Sequence, residues 1–231
     1  MRFGKIAYLN LLPFDVCIKA YPLPSYMKKC IALKKSFPSK LNQDFLFRRI
    51  DAGFISSIAG YASHYKHKVC PSGIIAKGAV WSVIVKKGSG FDYQSDTSNA
   101  LSQVLGLQGE VLIGDRALKF RYDGGEFEDM GEKWWDRTNK LPFVFGRLCF
   151  SSYGELLGRI SKAFNKRYGT KHKKIPHYML MAASHRSGIE SWYIAEYLEH
   201  IFYAIGPKEK RGLERFYRQV RLKRIKRPHR F

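Results

Sequence analysis

Acidic residues are scarce in this 231-residue chain, and the shortage gives it an unusual charge. There are 19 Asp and Glu residues against 41 Lys and Arg residues, so the formal net charge is +22. Such an excess predicts attraction to anions of any kind, from small metabolites to nucleic acids. A generally basic proteome would produce the same excess with lysines that only face solvent, so charge alone does not select a partner.

Closely spaced cysteines and long apolar runs are also lacking. Cys17, Cys30, Cys70 and Cys149 lie far apart and form no Cys-X-X-Cys motif, so we expect reduced, buried thiols. The apolar run near the N-terminus is interrupted at Asn10, and no small-residue cleavage site follows it. No apolar run is long enough to span a bilayer. These absences predict a cytoplasmic protein without a signal peptide or a membrane partner.

Apolar runs alternate with amphipathic segments in the first half of the chain, which indicates an α/β fold with a mainly parallel sheet. Lys5–Leu9, Cys30–Leu33 and Asp51–Ser57 are predicted strands. Tyr122–Thr138 contains glycine, acidic residues and tryptophan and is predicted to be loop. From Ser151 onwards the pattern becomes helical.

Two long apolar segments, Val80–Val85 and Leu141–Phe145, flank the middle of the chain. A chain that leaves one lobe and later returns to it would show this pattern. We therefore predict a discontinuous lobe formed by residues 1–85 and 150–231, which carries both termini. Residues 86–149 would form a smaller inserted α/β lobe. Two crossover strands would then create a hinged cleft between the lobes.

Polar side chains follow several predicted strands. Asn10 ends the first, and Ser56 and Ser57 end the third. In open α/β sheets, ligands bind at the carboxyl ends of the strands, and free N–H groups at a helix start favour an anion. Asn10 could equally be only the N-cap of a helix that contains Pro13. The pattern predicts an anion site but leaves the role of Asn10 open.

Titratable side chains indicate a metal site or a catalytic base less clearly. His64 and His67 are three residues apart, but no third ligand lies nearby in sequence, so we predict no metal site. Asp115 follows an apolar strand and is the only carboxylate at such a strand end. A helix cap is its more common role, and a catalytic base is the alternative.

Taken in order, eight segments resemble the chorismate dehydratases that make menaquinone by the futalosine pathway. No single segment is specific, but the ordered set is, and it covers nearly the whole chain. The eight segments are GKIAYLNLLPF, SKLN, DAGFISSIAGY, GAVWSV, SDTSNAL, VLIGDRAL, MGEKWWDRTNKLPFVFG and GLERFYRQV.

The related dihydroxynaphthoate synthases usually carry Cys-Pro-Asn-Asp after the first strand, where this chain has YLNLLPFD.

The resemblance implies a two-lobed fold like that of type II periplasmic binding proteins, without a secretion signal. It also implies a lyase that dehydrates the small molecule chorismate to 3-[(1-carboxyvinyl)oxy]benzoate, with no metal and no organic cofactor. The chain departs from the family at Asn139-Lys140, where threonine-glycine is usual, and in its basic tail after Leu222. We expect no specific nucleic acid partner.

Applied to this sequence, the resemblance indicates Asn10 and Ser82 as the catalytic residues. Neither accepts a proton well near neutral pH, so we hypothesise that the enolpyruvyl carboxylate of the substrate removes the ring proton. Three alternatives remain: a dihydroxynaphthoate synthase, a non-catalytic binding protein for a small carboxylate, and a nucleic-acid-binding protein that uses the tail. The predicted substrate-binding residues are Ser56, Ser57, Gly78, Thr97, Ser98, Asp115, Pro142 and Phe143.

Overall fold

The computed structural model describes residues 1–169, 173–226 and 228. The predicted basic tail is described only as far as Lys226 and at Pro228, and its other residues lie outside the described part. The strands of the described chain are β1 Phe3–Ile6, β2 Lys34–Ser36, β3 Ala52–Ser56, β4 Val69–Ala76, β5 Val83–Lys86, β6 Glu110–Ile113, β7 Phe127–Asp129, β8 Phe143–Phe150 and β9 Ile201–Ala204. Its helices are α1 Leu12–Ala20, α2 Ser25–Leu33, α3 Pro38–Leu46, α4 Tyr61–Tyr65, α5 Asp96–Leu105, α6 Gly114–Tyr122, α7 Met130–Arg137, α8 Gly154–Tyr168, α9 His177–Ser187, α10 Ser191–Glu199 and α11 Pro207–Leu222.

Within the described residues, the strands form two sheets. The larger has the order β2-β1-β3-β8-β4-β9 and the smaller β6-β5-β7. We call the six-stranded sheet with its helices the large half, and the three-stranded sheet with α5, α6 and α7 the small half. No helix in the described residues has the length and apolar composition needed to cross a bilayer.

Only the β2-β1-β3 part of the large sheet is parallel. Strand β8 runs antiparallel to both β3 and β4, and β4 runs antiparallel to β9. The prediction of a mainly parallel sheet is therefore wrong for the large half as a whole. Strand direction here depends on the return of the chain from the small half, which no local pattern in Phe143–Phe150 reveals.

The predicted boundaries of the inserted lobe, residues 86 and 149, do not match the sheets. Strand β5 belongs to the small sheet from Val83 onwards, and β8 lies inside the large sheet along Phe143–Phe150. Both apolar segments that the sequence suggested as crossovers thus run into sheet strands, from Val83 and from Phe143 onwards. The crossovers themselves are short and lie just before each strand, at residues 77–82 and 138–142.

Two local predictions also fail. Cys30–Leu33 is the last part of α2, because a short apolar run suits a buried helix turn as well as a strand. The predicted loop Tyr122–Thr138 contains β7 and α7. The carboxylate of Asp129 accepts the N–H groups of Gly131 (2.9 Å) and Glu132 (3.1 Å), which caps the start of α7.

The first crossover has an irregular backbone that the small half holds in place. Gly78 has φ +107° and Trp81 has φ +66°, a left-handed conformation that a bulky residue adopts only where its surroundings enforce it. The carboxylate of Asp129 also accepts the N–H groups of Val80 (3.0 Å) and Trp81 (2.7 Å). The buried side chain of Asp129 therefore caps the start of α7 and also shapes the segment that carries Ser82.

Aromatic packing holds helix α1 in place. The ring of Phe14 in α1 contacts Phe3 on β1, Phe54 on β3 and Phe164 on α8, with centroid distances of 5.0 to 5.9 Å. All four side chains are buried. Since aromatic pairs of this kind contribute beyond their buried area, α1 is held firmly against the sheet, together with the turn that precedes it.

Candidate active site

A narrow cleft lies between the two halves and brings together residues from both. Its cavity volume is about 40 Å³, which is room for a few water molecules. Larger cavities of about 880 and 410 Å³ elsewhere on the surface contain none of the predicted site residues. The cleft is lined by Ile6, Tyr8, Asn10, Pro38, Ser56, Ile74, Val80, Ser82, Val83, Ser95, Ser98, Ile113, Gly114, Phe145 and Gly146.

Asn10 lies in a 3-10 turn, Leu9–Leu11, directly after β1. Its backbone carbonyl accepts the hydroxyl of Tyr203 at 2.5 Å, but its buried side-chain oxygen Oδ1 has no partner among the described residues. The N-cap residue of α1 is Leu11, so the interpretation of Asn10 as that cap is wrong. A buried amide oxygen without a donor is unfavourable unless water or a ligand supplies one.

Ser82 also lines the cleft and is buried. Its Oγ accepts a hydrogen bond from the hydroxyl of Tyr197 at 2.8 Å, and the one acceptor for its own hydrogen among the described residues is the carbonyl of Val80, at 3.5 Å. Complete burial raises the pKa of Tyr197 far above its ordinary value, so this hydroxyl stays protonated. Tyr197 therefore donates to Ser82 and leaves the Ser82 hydrogen available to a ligand.

Helix N-termini surround the cleft. Helix α3 begins at Pro38, α6 begins at Gly114, and the N-cap of α5 is Ser95, whose Oγ accepts the N–H of Ser98 at 3.1 Å. A Cβ on Gly114, which has φ +63°, would lie 2.7 Å from the ring of Tyr8, so glycine is required there. Since helix N-termini carry partial positive charge, this uncharged cleft favours an anion.

Hydrogen bonds between the two halves hold the cleft nearly closed. The hydroxyl of Tyr8 donates to Oε1 of Gln94 at 2.5 Å. Nδ2 of Asn42 donates to Oδ2 of Asp96 in the small half, at 2.5 Å, and to Oγ of Ser56 within the large half, at 2.7 Å. Burial raises the pKa of the Tyr8 hydroxyl well above 10. Neither Tyr8 nor the serines of the wall can therefore act as a base near neutral pH.

Two predicted binding residues point away from the cleft, although the adjacent Ser56 lines it. Oγ of Ser57 donates to the carbonyl of Val144 at 2.5 Å. Oγ1 of Thr97 accepts the N–H of Ile58 at 3.1 Å. Both hydroxyls join elements of the fold and neither residue lines the cleft, so direct binding of a substrate by Ser57 and Thr97 does not fit this geometry.

Gly78, Pro142 and Phe143 also lie outside the cleft wall. The ring of Phe143 packs in the core against Trp134 and Phe216, with centroid distances of 5.2 and 5.0 Å. These residues shape the two crossovers and the start of β8, and the prediction that they contact a substrate does not fit. Phe145, two residues further along β8, lines the cleft instead.

Asp115 lies in the first turn of α6, beside the cleft but not in its wall. Its Oδ1 accepts the N–H of Leu9 at 2.8 Å, which ties the small half to the turn that carries Asn10. Burial raises the pKa of Asp115 to about 6. The carboxylate thus caps a backbone N–H of the 3-10 turn, and substrate contact by Asp115 is not what the geometry favours.

Four of the predicted site residues, Asn10, Ser56, Ser82 and Ser98, therefore line one cleft. Tyr8 and Ser95 were missed, although each lies within three residues of a predicted one. Tyr197 was missed because it lies 115 residues from Ser82 and has no motif of its own. In the described residues no three His, Cys, Asp or Glu side chains are grouped as a metal site would need, and the absence of a metal stays a prediction.

Comparison with known proteins identifies the family. Residues 94–221 match the family model described as menaquinone biosynthesis. A chorismate dehydratase of Campylobacter jejuni is 42% identical over 220 residues, which cover 94% of this chain and 96% of that protein.

Solved structures support the expected fold. A protein of Archaeoglobus fulgidus aligns over 97% of this chain and 98% of its own, with a TM-score of 0.69 and 11% identity. The alkanesulfonate-binding protein SsuA of Xanthomonas axonopodis, bound to MOPS, aligns over 97% of this chain and 93% of its own, with a TM-score of 0.56 and 13% identity. The periplasmic-binding-protein-like fold is thus confirmed, and the sequence matches along most of the chain establish that it belongs to the chorismate dehydratase family of menaquinone biosynthesis.

Proposed function

We propose that this protein is a hydro-lyase that converts chorismate to 3-[(1-carboxyvinyl)oxy]benzoate and water in the futalosine route to menaquinone. The 42% identical relative named chorismate dehydratase supports the reaction. The reduced state of Cys17, Cys30, Cys70 and Cys149 agrees with a cytoplasmic site of action.

The observation that carries the proposal is the character of the cleft wall. Among the described residues that line it, Tyr8 is the only one with a titratable side chain, and its pKa is raised. Helix N-termini supply fixed positive dipoles in its place, and the unpaired Oδ1 of Asn10 is an acceptor for a hydroxyl of the ligand. Such a site suits a small dianion and a reaction that needs no strong protein base.

The dehydration removes the ring proton beside the enol ether and expels the hydroxyl from the neighbouring carbon. The electron pair of the C–H bond forms the new ring double bond as the C–O bond breaks, and the hydroxide with that proton makes water. Because the product is aromatic, the reaction is downhill and the enzyme only lowers the barrier. The enolpyruvyl carboxylate lies within the same molecule, takes the proton and passes it to the departing hydroxide, so the protein must hold the reactive conformer.

Asn10 and Ser82, which both line the cleft, orient the reacting groups. With Tyr197 donating to its oxygen, Ser82 offers a hydrogen to the departing hydroxyl or to a carboxylate. The Oδ1 atom of Asn10 accepts a hydrogen from the substrate hydroxyl, which satisfies this buried oxygen. Both side chains hydrogen bond to the substrate without changing their own protonation state.

The decisive experiment incubates the protein with chorismate and follows loss of chorismate absorbance and formation of the dehydrated product by mass spectrometry. Asn10→Ala should reduce turnover by about tenfold or more. Asn165→Ala, which removes an amide that bonds to the carbonyl of Pro71 outside the cleft, should not. If chorismate binds but is recovered unchanged, the protein is a carboxylate-binding protein and the proposal is wrong.

A further inference from the structure

A second cavity of about 410 Å³ lies between α1, α2 and α9, away from the active-site cleft. Its volume is within the range of sites that hold small organic ligands. We call it the basic groove, because its lining contains one acidic residue, Asp15, and six cationic ones. The cationic residues are Lys5, Lys19, Lys28, Lys29, Lys35 and Arg186.

The charge of the basic groove is not neutralised from within. Asp15 is already paired with the ammonium group of Lys5. Among the described residues, no carboxylate forms an ion pair with Lys28, Lys35 or Arg186, and Lys28 donates instead to the carbonyl of Lys19 at 2.7 Å. Several cations around one concave surface attract an anion, and more strongly at low ionic strength.

The floor of the groove is apolar. Ile18, Ile31, Met179 and Ala183 are buried side chains that line it. Lys5 is buried beside them on β1, and desolvation lowers its pKa despite the opposite effect of Asp15. An anion seated here would place its charge near Lys5, Lys35 and Arg186, and its apolar body on this floor.

We propose that the basic groove is a second binding site, which takes a small organic carboxylate with an apolar body. An inorganic anion would use the cations but not the floor, and a neutral apolar molecule would use the floor but not the cations. The proposal depends on the groove alone and holds whether or not the cleft dehydrates chorismate.

Octanoate is a suitable probe, measured with the full chain by isothermal titration calorimetry at low ionic strength. It should bind, and both octanol and inorganic phosphate should bind at least about tenfold more weakly. Lys35→Glu with Arg186→Glu should weaken octanoate binding by about tenfold or more. Both side chains are exposed, so the double variant should fold.

The matched control is Lys208→Glu with Arg211→Glu, two exposed residues of α11 that change the net charge equally but do not line the groove. It should leave octanoate affinity within about twofold, since neither side chain lines the groove and contacts the ligand. Ala182→Trp, at an exposed position in the groove wall, should block binding by filling the cavity. Absence of octanoate binding, equal binding of octanol, or equal effects of the two charge-reversed variants would overturn the proposal.

Discussion

Replacing Tyr197 with Phe removes a single hydroxyl that donates to Oγ of Ser82 at 2.8 Å. With that donor gone, the Ser82 hydroxyl can rotate and is no longer required to offer its hydrogen to the substrate. The phenyl ring keeps the packing of α10. The change therefore acts on turnover through the orientation of Ser82, whereas the affinity for chorismate should change little.

The expected magnitude follows from one neutral hydrogen bond. A bond of this kind contributes about 0.5–1.5 kcal/mol, which corresponds to a two- to twelvefold decrease in kcat. In a Ser82→Ala background the same Tyr197→Phe change should alter kcat by less than about twofold, because its target is missing. In that background Tyr197→Phe should also restore stability, because the buried Tyr197 hydroxyl has lost its acceptor once Ser82 is replaced by Ala.

The assay is a double-mutant cycle on kcat and KM for chorismate, with the free energy of unfolding measured for each variant. Tyr217→Phe is the control, because this buried hydroxyl also donates at 2.8 Å, but to the carbonyl of Ser57 outside the cleft wall. It should lower stability without lowering kcat. Independent, additive effects of Tyr197→Phe and Ser82→Ala on kcat would refute the reasoning.

Two further predictions concern the carboxylate at α6 and the second crossover. The native pKa of Asp115, about 6, lies above the ordinary 3.8, so the native state binds this proton more tightly than the unfolded state does. The contribution of Asp115 to stability therefore falls as the pH rises from about 4 to about 6. Asp115→Asn should remove that part of the pH dependence of urea unfolding and keep most of the turnover; loss of all turnover with an intact fold would make Asp115 the base. Lys140 has φ +60°, so Lys140→Gly should raise the free energy of unfolding by up to about 1 kcal/mol, and no gain in chemical denaturation would contradict this.

The features that the sequence predicted best are those that local patterns determine. Asn10 and Ser56 follow apolar strands, and parallel strands such as β1 and β3 deliver their carboxyl ends to the same edge of a sheet. Ser98 lies in a helix start with recognisable capping residues. These residues line one cleft together with Ser82, as the resemblance to the family implied.

Long-range pairing accounts for most of what was missed. The antiparallel return of β8 and the contact of Tyr197 with Ser82 depend on how distant segments meet, and no periodicity encodes that. Ser57 and Thr97 were overvalued because a hydroxyl at a strand or helix end can satisfy the backbone just as well as a ligand. Asp129 was missed for a similar reason, since its segment has the composition of a loop.

The hydrogen bonds across the closed cleft have a kinetic consequence. Chorismate is far larger than the few waters that fit, so the two halves must separate in each catalytic cycle, against the bonds of Tyr8 with Gln94 and of Leu9 with Asp115 that join them. The frequency of this opening sets a ceiling on the turnover number, however fast the ring becomes aromatic. Added viscogen should therefore slow an efficient wild-type enzyme more than a variant whose chemical step has been impaired.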